Sequence, residues 1–518
     1  MKNNKTVIIG KKFVTIFNKD AYAAFYNIPY ADVPVGDLRF KPPKEKSDLL
    51  GQQIHDYSEY YSDSVFDLED CLRLSVYVPM INTTDKYPVL VWITNNKIDF
   101  GPDFFIEERI VVVKVRYRTS IFGFLNTGDD FAEGNMGAKD VIAALKWIQK
   151  NISYFKGDKH KITVLGHSNS AVLVSALLVS PIAKDLFSRA IVLDGSVLCP
   201  ENYRFHNFEI LNKLYCKMKG RFDKFDRGEL YEKLKSMSAS ELVVLARNLY
   251  DSSEVRNNQR PIKSFTLSRE TSRNAFLRNS PIDLYCDKKI NKLKVIFGYT
   301  NLRSLYRLQR FSKNRNLLKY LKYNFQYMLP FEGTTDEFES KRYRKIQNNI
   351  TEFYFLNGTI TDRSLRRYTK YLSDRVIYSV YRQAMEHEGS YLCRFSFKGS
   401  LNFGWDLSTP ELKWKGATLG DEICYLFRCK FADEAYTNDG TNERRFIKKI
   451  VKLFANFVRY GDPTPEKEDD VLGNIKWMPM DTGCQALQLS RHIKMINVPE
   501  LKRLKFWDDL KRDFFDKI

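Results

Sequence analysis

The apolar positions of this chain fall into short strand-like runs separated by helical spacings. Residues 6–17 and 20–27 read as strands, followed by the turn-rich stretch Ile28–Gly36. Leu74–Val78, Pro88–Ile93 and Ile110–Tyr117 read as further strands. The second of these is wholly apolar, as a strand buried on both faces of a sheet should be. Lys139–Lys150 has the spacing of an amphipathic helix. Ile162–Leu165 is a short apolar strand, Gly166–Ser170 a sharp turn, and Ala171–Val179 a small-residue aliphatic helix. Ala190–Leu193, Leu293–Gly298 and Ser390–Phe397 complete the strands. Residues 305–328, 337–356, 363–388, Phe446–Tyr460 and Pro499–Phe515 read as helices, and 200–290 as helical insertions. This alternation predicts an α/β fold: a central, mostly parallel mixed sheet with helices on both faces. No repeat or linker divides the chain, so 1–518 is expected to form a single domain.

Composition adds less than charge does. A hydrophobic share of 43% with 28% charged residues is that of a globular chain with a large core. Lysines and arginines exceed acidic residues by 83 to 63, giving +20. Between Arg303 and Lys370 there are fifteen basic and six acidic residues. Solvated helix faces explain most such runs, but this one would also suit an acidic protein partner or an anionic membrane surface. No nucleic-acid-binding signature accompanies it, and no nucleic acid partner is expected. The eight cysteines are scattered without a Cys-x-x-Cys pair, which points to buried reduced thiols and to no metal or cofactor. Neither a leader-like segment nor an apolar run of membrane-spanning length occurs, so the expected location is the cytoplasm.

The candidate chemistry lies in Gly166-His167-Ser168-Asn169-Ser170, where strand, tight turn and helix would lift a central Ser hydroxyl clear of a sheet. Taken alone, a Gly-x-Ser is usually an ordinary turn. The usual second glycine is Ser170 here.

Several long motifs change that weighting. Asn27-Ile-Pro-Tyr-Ala-Asp-Val-Pro-Val-Gly-Asp-Leu-Arg-Phe40, Glu69-Asp-Cys-Leu-Arg-Leu-Ser-Val-Tyr-Val-Pro79 and Gly134-Asn-Met-Gly-Ala-Lys-Asp140 occur in that order. So do Leu186-Phe-Ser-Arg-Ala-Ile191, Phe457-Val-Arg-Tyr-Gly-Asp-Pro-Thr-Pro465 and Leu504-Lys-Phe-Trp-Asp508. Together they strongly resemble the type-B carboxylesterase/cholinesterase family, and within it the insect alpha-esterases. The resemblance implies an α/β-hydrolase fold with helical insertions over the site. It also implies structural pairs of Arg39 with Glu69 and Arg118 with Asp140. Members outside the cell join the Cys71 position to an upstream cysteine; Cys71 is the first cysteine here, so that bridge has no partner.

Ester hydrolysis on this fold needs a nucleophilic Ser, a His base, a carboxylate that orients the His, and N–H donors for the oxyanion. By resemblance Ser168 holds the nucleophile position. The acid position, in Gly298-Tyr-Thr-Asn-Leu-Arg-Ser304, is Arg303, and no Asp or Glu lies between Lys288 and Phe331. The base position, in Gly416-Ala-Thr-Leu-Gly-Asp-Glu422, is Leu419, and no His lies between His387 and His492. The oxyanion glycines are replaced in Thr94-Asn-Asn-Lys-Ile98, leaving Asn95 and Asn96 with the N–H of Asn169. His167 beside the Ser, and His160 at the far end of its strand, are expected to serve structure. The expectation is a carboxylesterase-like pseudoenzyme that binds a small apolar or ester-like ligand, or a protein. The alternatives are a weak ester hydrolase using Ser168 with an unusual base, and a basic membrane-surface or structural interaction protein.

Overall fold

The computed structural model describes residues 2–3, 6–46, 53–54, 69–81, 84–94, 100–219, 226–251, 264–308, 321–322, 325–333, 340–361, 364–402, 416–438, 440–465, 469–480 and 484–515. Its centre is an 11-stranded sheet. In chain order the strands are β1 (Lys11–Val14), β2 (Ala21–Pro29), β3 (Arg73–Pro79), β4 (Tyr87–Ile93), β5 (Val111–Val115) and β6 (Gly157–His167). They continue as β7 (Arg189–Leu193), β8 (Lys294–Thr300), β9 (Tyr391–Phe395), β10 (Gln485–Leu489) and β11 (Lys494–Asn497). The spatial order is β11-β10-β9-β8-β7-β6-β4-β5-β3-β2-β1. From β5 to β10 all neighbours pair in parallel; β11, β3, β2 and β1 join antiparallel at the two margins. The α/β-hydrolase layout is therefore present, with a mostly parallel sheet.

Alternation along the central strands sends side chains to two separate cores. Val89, Val91 and Ile93 join one, while Leu90 and Trp92 join the other. The first core is closed by α1 (Met136–Asn151) and α2 (Asn169–Leu177). Three helices, α3 (Phe208–Lys219), α4 (Arg227–Ser236) and α5 (Ala239–Arg247), form a third cluster against Phe40, Ile121 and Phe122. After α6 (Lys341–Tyr354), α7 (Leu365–Glu386) covers the first core. The second core is closed by α8 (Asn442–Tyr460), and α9 (Leu501–Phe514) returns to the first. Both structural pairs are made: Arg39 reaches Glu69 at 2.6 Å and the fully buried Arg118 reaches Asp140 at 2.6 Å.

Three sequence expectations change. Within the helix expected over 305–328, the described residues form a 3-10 turn at Leu305–Leu308 and are helical at 321–322, while 325–328 are not helical; 309–320 and 323–324 lie outside the described residues. Strands β10 and β11, with their polar edge positions, carry no strong apolar pattern and were not foreseen. The cysteines are not all thiols either. Cys424 and Cys429 are bridged, with Cα atoms 5.3 Å apart, while Cys71, Cys199, Cys216, Cys286, Cys393 and Cys484 are free. No helix among the described residues is long and apolar enough to cross a membrane.

His387, at the end of α7, is buried, and its Nε2–H donates to the Leu293 carbonyl at 2.7 Å. Its Nδ1 has no partner among the described residues, and burial lowers its pKa. Below pH about 6.5 the unfolded chain takes up a proton that the folded chain refuses, so stability falls as pH falls. The expected cost is up to about 1.4 kcal/mol per pH unit below that point. Urea melts of wild type and His387→Gln between pH 7 and 5 check this, with a shallower acid loss in the variant.

Candidate functional site

The site is built where β6 stops. Ser168 follows the last residue of β6 and precedes the first of α2, with φ 57° and ψ −115°. A left-handed φ at a non-glycine residue is strained, and the surroundings hold it there. The Ser168 N–H donates to the Leu193 carbonyl at 2.9 Å, and its own carbonyl accepts from Val172 N–H at 3.2 Å. Two glycines permit the close approach. A Cβ on Gly166 would stand 2.4 Å from the Ser170 carbonyl oxygen, and one on Gly195 would stand 2.4 Å from the Ser168 carbonyl oxygen. Ser170 fits in place of the usual glycine because its hydroxyl is buried 3.2 Å from the Tyr117 hydroxyl. The elbow is therefore fully formed.

Around this elbow the structure gathers the predicted positions. The Leu419 N–H donates to the Arg303 carbonyl at 3.2 Å, so the loops of the base and acid positions meet. Thr418 also donates its hydroxyl to the Arg303 carbonyl, at 3.0 Å. Leu419 offers no proton acceptor in its side chain. Asn169 is exposed as the first residue of α2. Asn95 and Asn96 lie outside the described residues. Ser168 is half-buried. His160 is exposed, near the middle of the long strand β6.

What the motifs did not reveal is a buried charge cluster beneath the elbow. Arg303 points to Asp194, with its Nε 3.6 Å from Oδ1 and its Nη2 donating to the Asp194 carbonyl at 3.2 Å. Asp194 is fully buried at the end of β7; Thr300 donates its N–H to Oδ1 at 3.1 Å and its hydroxyl to Oδ2 at 2.8 Å. His167 Nε2 lies 2.9 Å from Glu422 Oε1, at an angle that makes an ionic contact rather than a directed hydrogen bond. Gly420 N–H holds the other oxygen of Glu422 at 3.1 Å. His167, Asp194 and Glu422 thus bring their donor atoms within 4.8 Å of one another, a set that can serve a cation.

The electrostatics follow from burial. Burial, and then the neighbouring Glu422, push the Asp194 carboxyl up to about 7 despite Arg303 and His167. Burial opposes the charged form of His167, but Glu422 and Asp194 outweigh it and the pKa rises. Burial would raise Glu422, but His167 pulls it below the ordinary value. An imidazole biased toward its protonated form, with its Nε2 on a carboxylate, is poorly suited to accept a proton from Ser168. Asp194 could have been suspected from its place at the carboxyl end of a parallel strand, where α/β sites form. Glu422 stands three residues after Leu419 in the same motif.

A cavity of about 310 Å³ opens beside the elbow. Asn169, Tyr117, Phe124, Val172, Ala246 and Phe265 line it, so α2 and the insertion helix α5 share its walls. The basic stretch 303–370 is less uniform than its sequence suggests. Arg303 is buried, and Arg342 donates to the Phe514 carbonyl and stacks on Phe515. Lys341, Arg344, Lys345 and Arg366 stay exposed.

A strained serine elbow closing a parallel strand of this sheet defines an α/β-hydrolase. The chain belongs to the carboxylesterase family, whose model matches residues 5–507. It is similar to the juvenile hormone esterase of Tribolium castaneum, 26% identical over 500 residues, which span 89% of this chain and 82% of that protein. Venom carboxylesterase-6 of Apis mellifera is 30% identical over 428 residues, 78% of this chain and 75% of its own. In three dimensions the chain resembles the crystal structure of juvenile hormone esterase from Manduca sexta with OTFP covalently attached, at TM-score 0.75, 20% identity and 97% coverage of both chains.

Restoring the usual glycine should not improve the elbow. Ser170→Gly removes a buried hydroxyl contact and adds backbone freedom inside α2, so a stability loss of about 1–2 kcal/mol is expected in denaturant melts.

Proposed function

We propose that this chain is a carboxylesterase-family pseudoenzyme that binds a small apolar or ester-like ligand without hydrolysing it efficiently. One observation carries the reading. The two loops that would present a base and its carboxylate to Ser168 present Leu419 and Arg303, and the Arg303 guanidinium is turned onto Asp194. Without a base, a serine hydroxyl is a weak nucleophile near neutral pH, and loss of triad members costs as much as ~10⁶-fold in turnover.

The ligand class is supported by the cavity, whose Tyr117, Phe124, Val172, Leu173 and Phe265 offer apolar and aromatic contact. Thr119, Ser120, Asn169 and Asn202 supply sparse polar groups that would orient an ester-like carbonyl. The relatives are named for ester hydrolysis, which fits an inherited ester-shaped pocket.

Three measurements test the reading. A fluorophosphonate probe should leave the folded protein unlabelled, and Ser168→Ala should change aryl-ester turnover by less than about 2-fold. Labelling and turnover that vanish in Ser168→Ala would instead establish a weak hydrolase. A fluorescent aryl ketone, as an uncleavable ester isostere, should bind, and Val172→Trp should weaken it about tenfold by filling the cavity.

A further inference from the structure

The cluster beneath the elbow has more order than charge neutralisation requires. His167 comes from the end of β6, Asp194 from the end of β7, and Glu422 from the loop of the base position. Both carboxylates are buried, and each is fixed from behind: Asp194 by Thr300, and Glu422 by the Gly420 N–H. Such outer contacts leave a free lone pair on each carboxylate and set its direction, which is what second-layer groups do for metal ligands.

The inner face is where the three side chains converge. His167 Nε2 and Glu422 Oε1 are 2.9 Å apart in an ion-pair contact. That separation is close to the spacing of two ligands on one ion. Atoms each about 2.1 Å from a zinc ion lie about 3.0–3.4 Å apart for ligand angles of roughly 90–109°. The third donor, an Asp194 oxygen, completes a set whose members lie within 4.8 Å of one another. Closing the widest pair needs side-chain movement of at most about 1.5 Å.

The geometry points to a divalent transition-metal site, zinc first, formed by His167 Nε2, one oxygen of Asp194 and one oxygen of Glu422. One imidazole and two carboxylates suit zinc better than calcium or magnesium, which prefer all-oxygen shells. Arg303 donates its Nε and Nη2 to the Asp194 carbonyl at 3.4 and 3.2 Å, and its Nε stands 3.6 Å from Oδ1, so it lowers the charge of the ligand set. His167 is the partly exposed member, with 14% of its side chain accessible, and gives the ion a way in. The site does not depend on Ser168 being active or inactive. Its ligands are scattered along the chain, which is why no spacing in the sequence announced it.

The test uses the full chain, stripped with a chelator and with its free thiols alkylated, so that Cys286 and Cys484 on the surface cannot bind the metal. Equilibrium dialysis against zinc should give one ion per chain. His167→Gln and Glu422→Gln should each weaken binding more than about tenfold, and Thr300→Val about tenfold by releasing Asp194. Zinc should raise the Tm of the wild type. Cobalt should give visible d–d bands of a nitrogen/oxygen site, a readout that needs no variant to fold. Absence of stoichiometric binding by the alkylated wild type, undiminished binding by His167→Gln, or a thiolate charge-transfer band would each overturn the proposal.

Discussion

Everything at the site hangs on the backbone at Ser168. A left-handed turn at a non-glycine residue costs of order 1–3 kcal/mol and persists only where its surroundings leave no alternative. Here they leave none: the approach of Gly166 and Gly195 has no room for a Cβ, and β7 accepts the Ser168 N–H. The crowding extends to the structural pairs. Gly123 and Gly137 each pack so close to the Arg118 carbonyl that a Cβ would stand 2.2 and 2.3 Å from it, while the Arg118 side chain is locked to Asp140. A backbone braced this way keeps its shape whether or not chemistry is performed on it.

That rigidity explains how the side chains could change sign without the loops moving apart. A guanidinium placed alone at the acid position would be a buried, uncompensated charge, which is strongly destabilising. Arg303 instead meets Asp194, and the imidazolium form of His167 meets Glu422. Each unusual residue has a buried partner of opposite sign, and the two pairs touch. The cluster is a paired electrostatic core.

Much of the fold was legible because central parallel strands are apolar on both faces, and β4, β5, β6 and β7 announce themselves that way. The strands β10 and β11, at the margin of the sheet, did not, because Gln485, Gln488, Lys494 and Asn497 break the apolar pattern. The C-terminal end of the helix expected over 305–328 departs for a different reason: Phe325, Tyr327 and Met328 are buried as individuals in a non-helical stretch, and their spacing only mimics a helical stripe. At the site, Ser168, Arg303 and Leu419 were legible as motif positions, because each falls at a known spacing in a stretch that resembles the family's. Asp194 and the role of Glu422 were not, since pairs formed between distant strands and loops leave no local periodicity. The bridge between Cys424 and Cys429 was hidden for the opposite reason, being too short-range to resemble either a framework or a metal motif.

The pairing of Arg303 with Asp194 also ties together positions far apart in the chain, so that a change at one is felt at the other. A carboxylate in place of Arg303 would stand as a third acid beside Asp194 and Glu422, with the imidazolium form of His167 left to balance them. A His at Leu419 alone would face a guanidinium in place of an orienting carboxylate. Asp194, and with it the His167–Glu422 contact, would have to change before either replacement became tolerable. The order in which these positions can change is thereby constrained, and the buried ion pairs act as a ratchet.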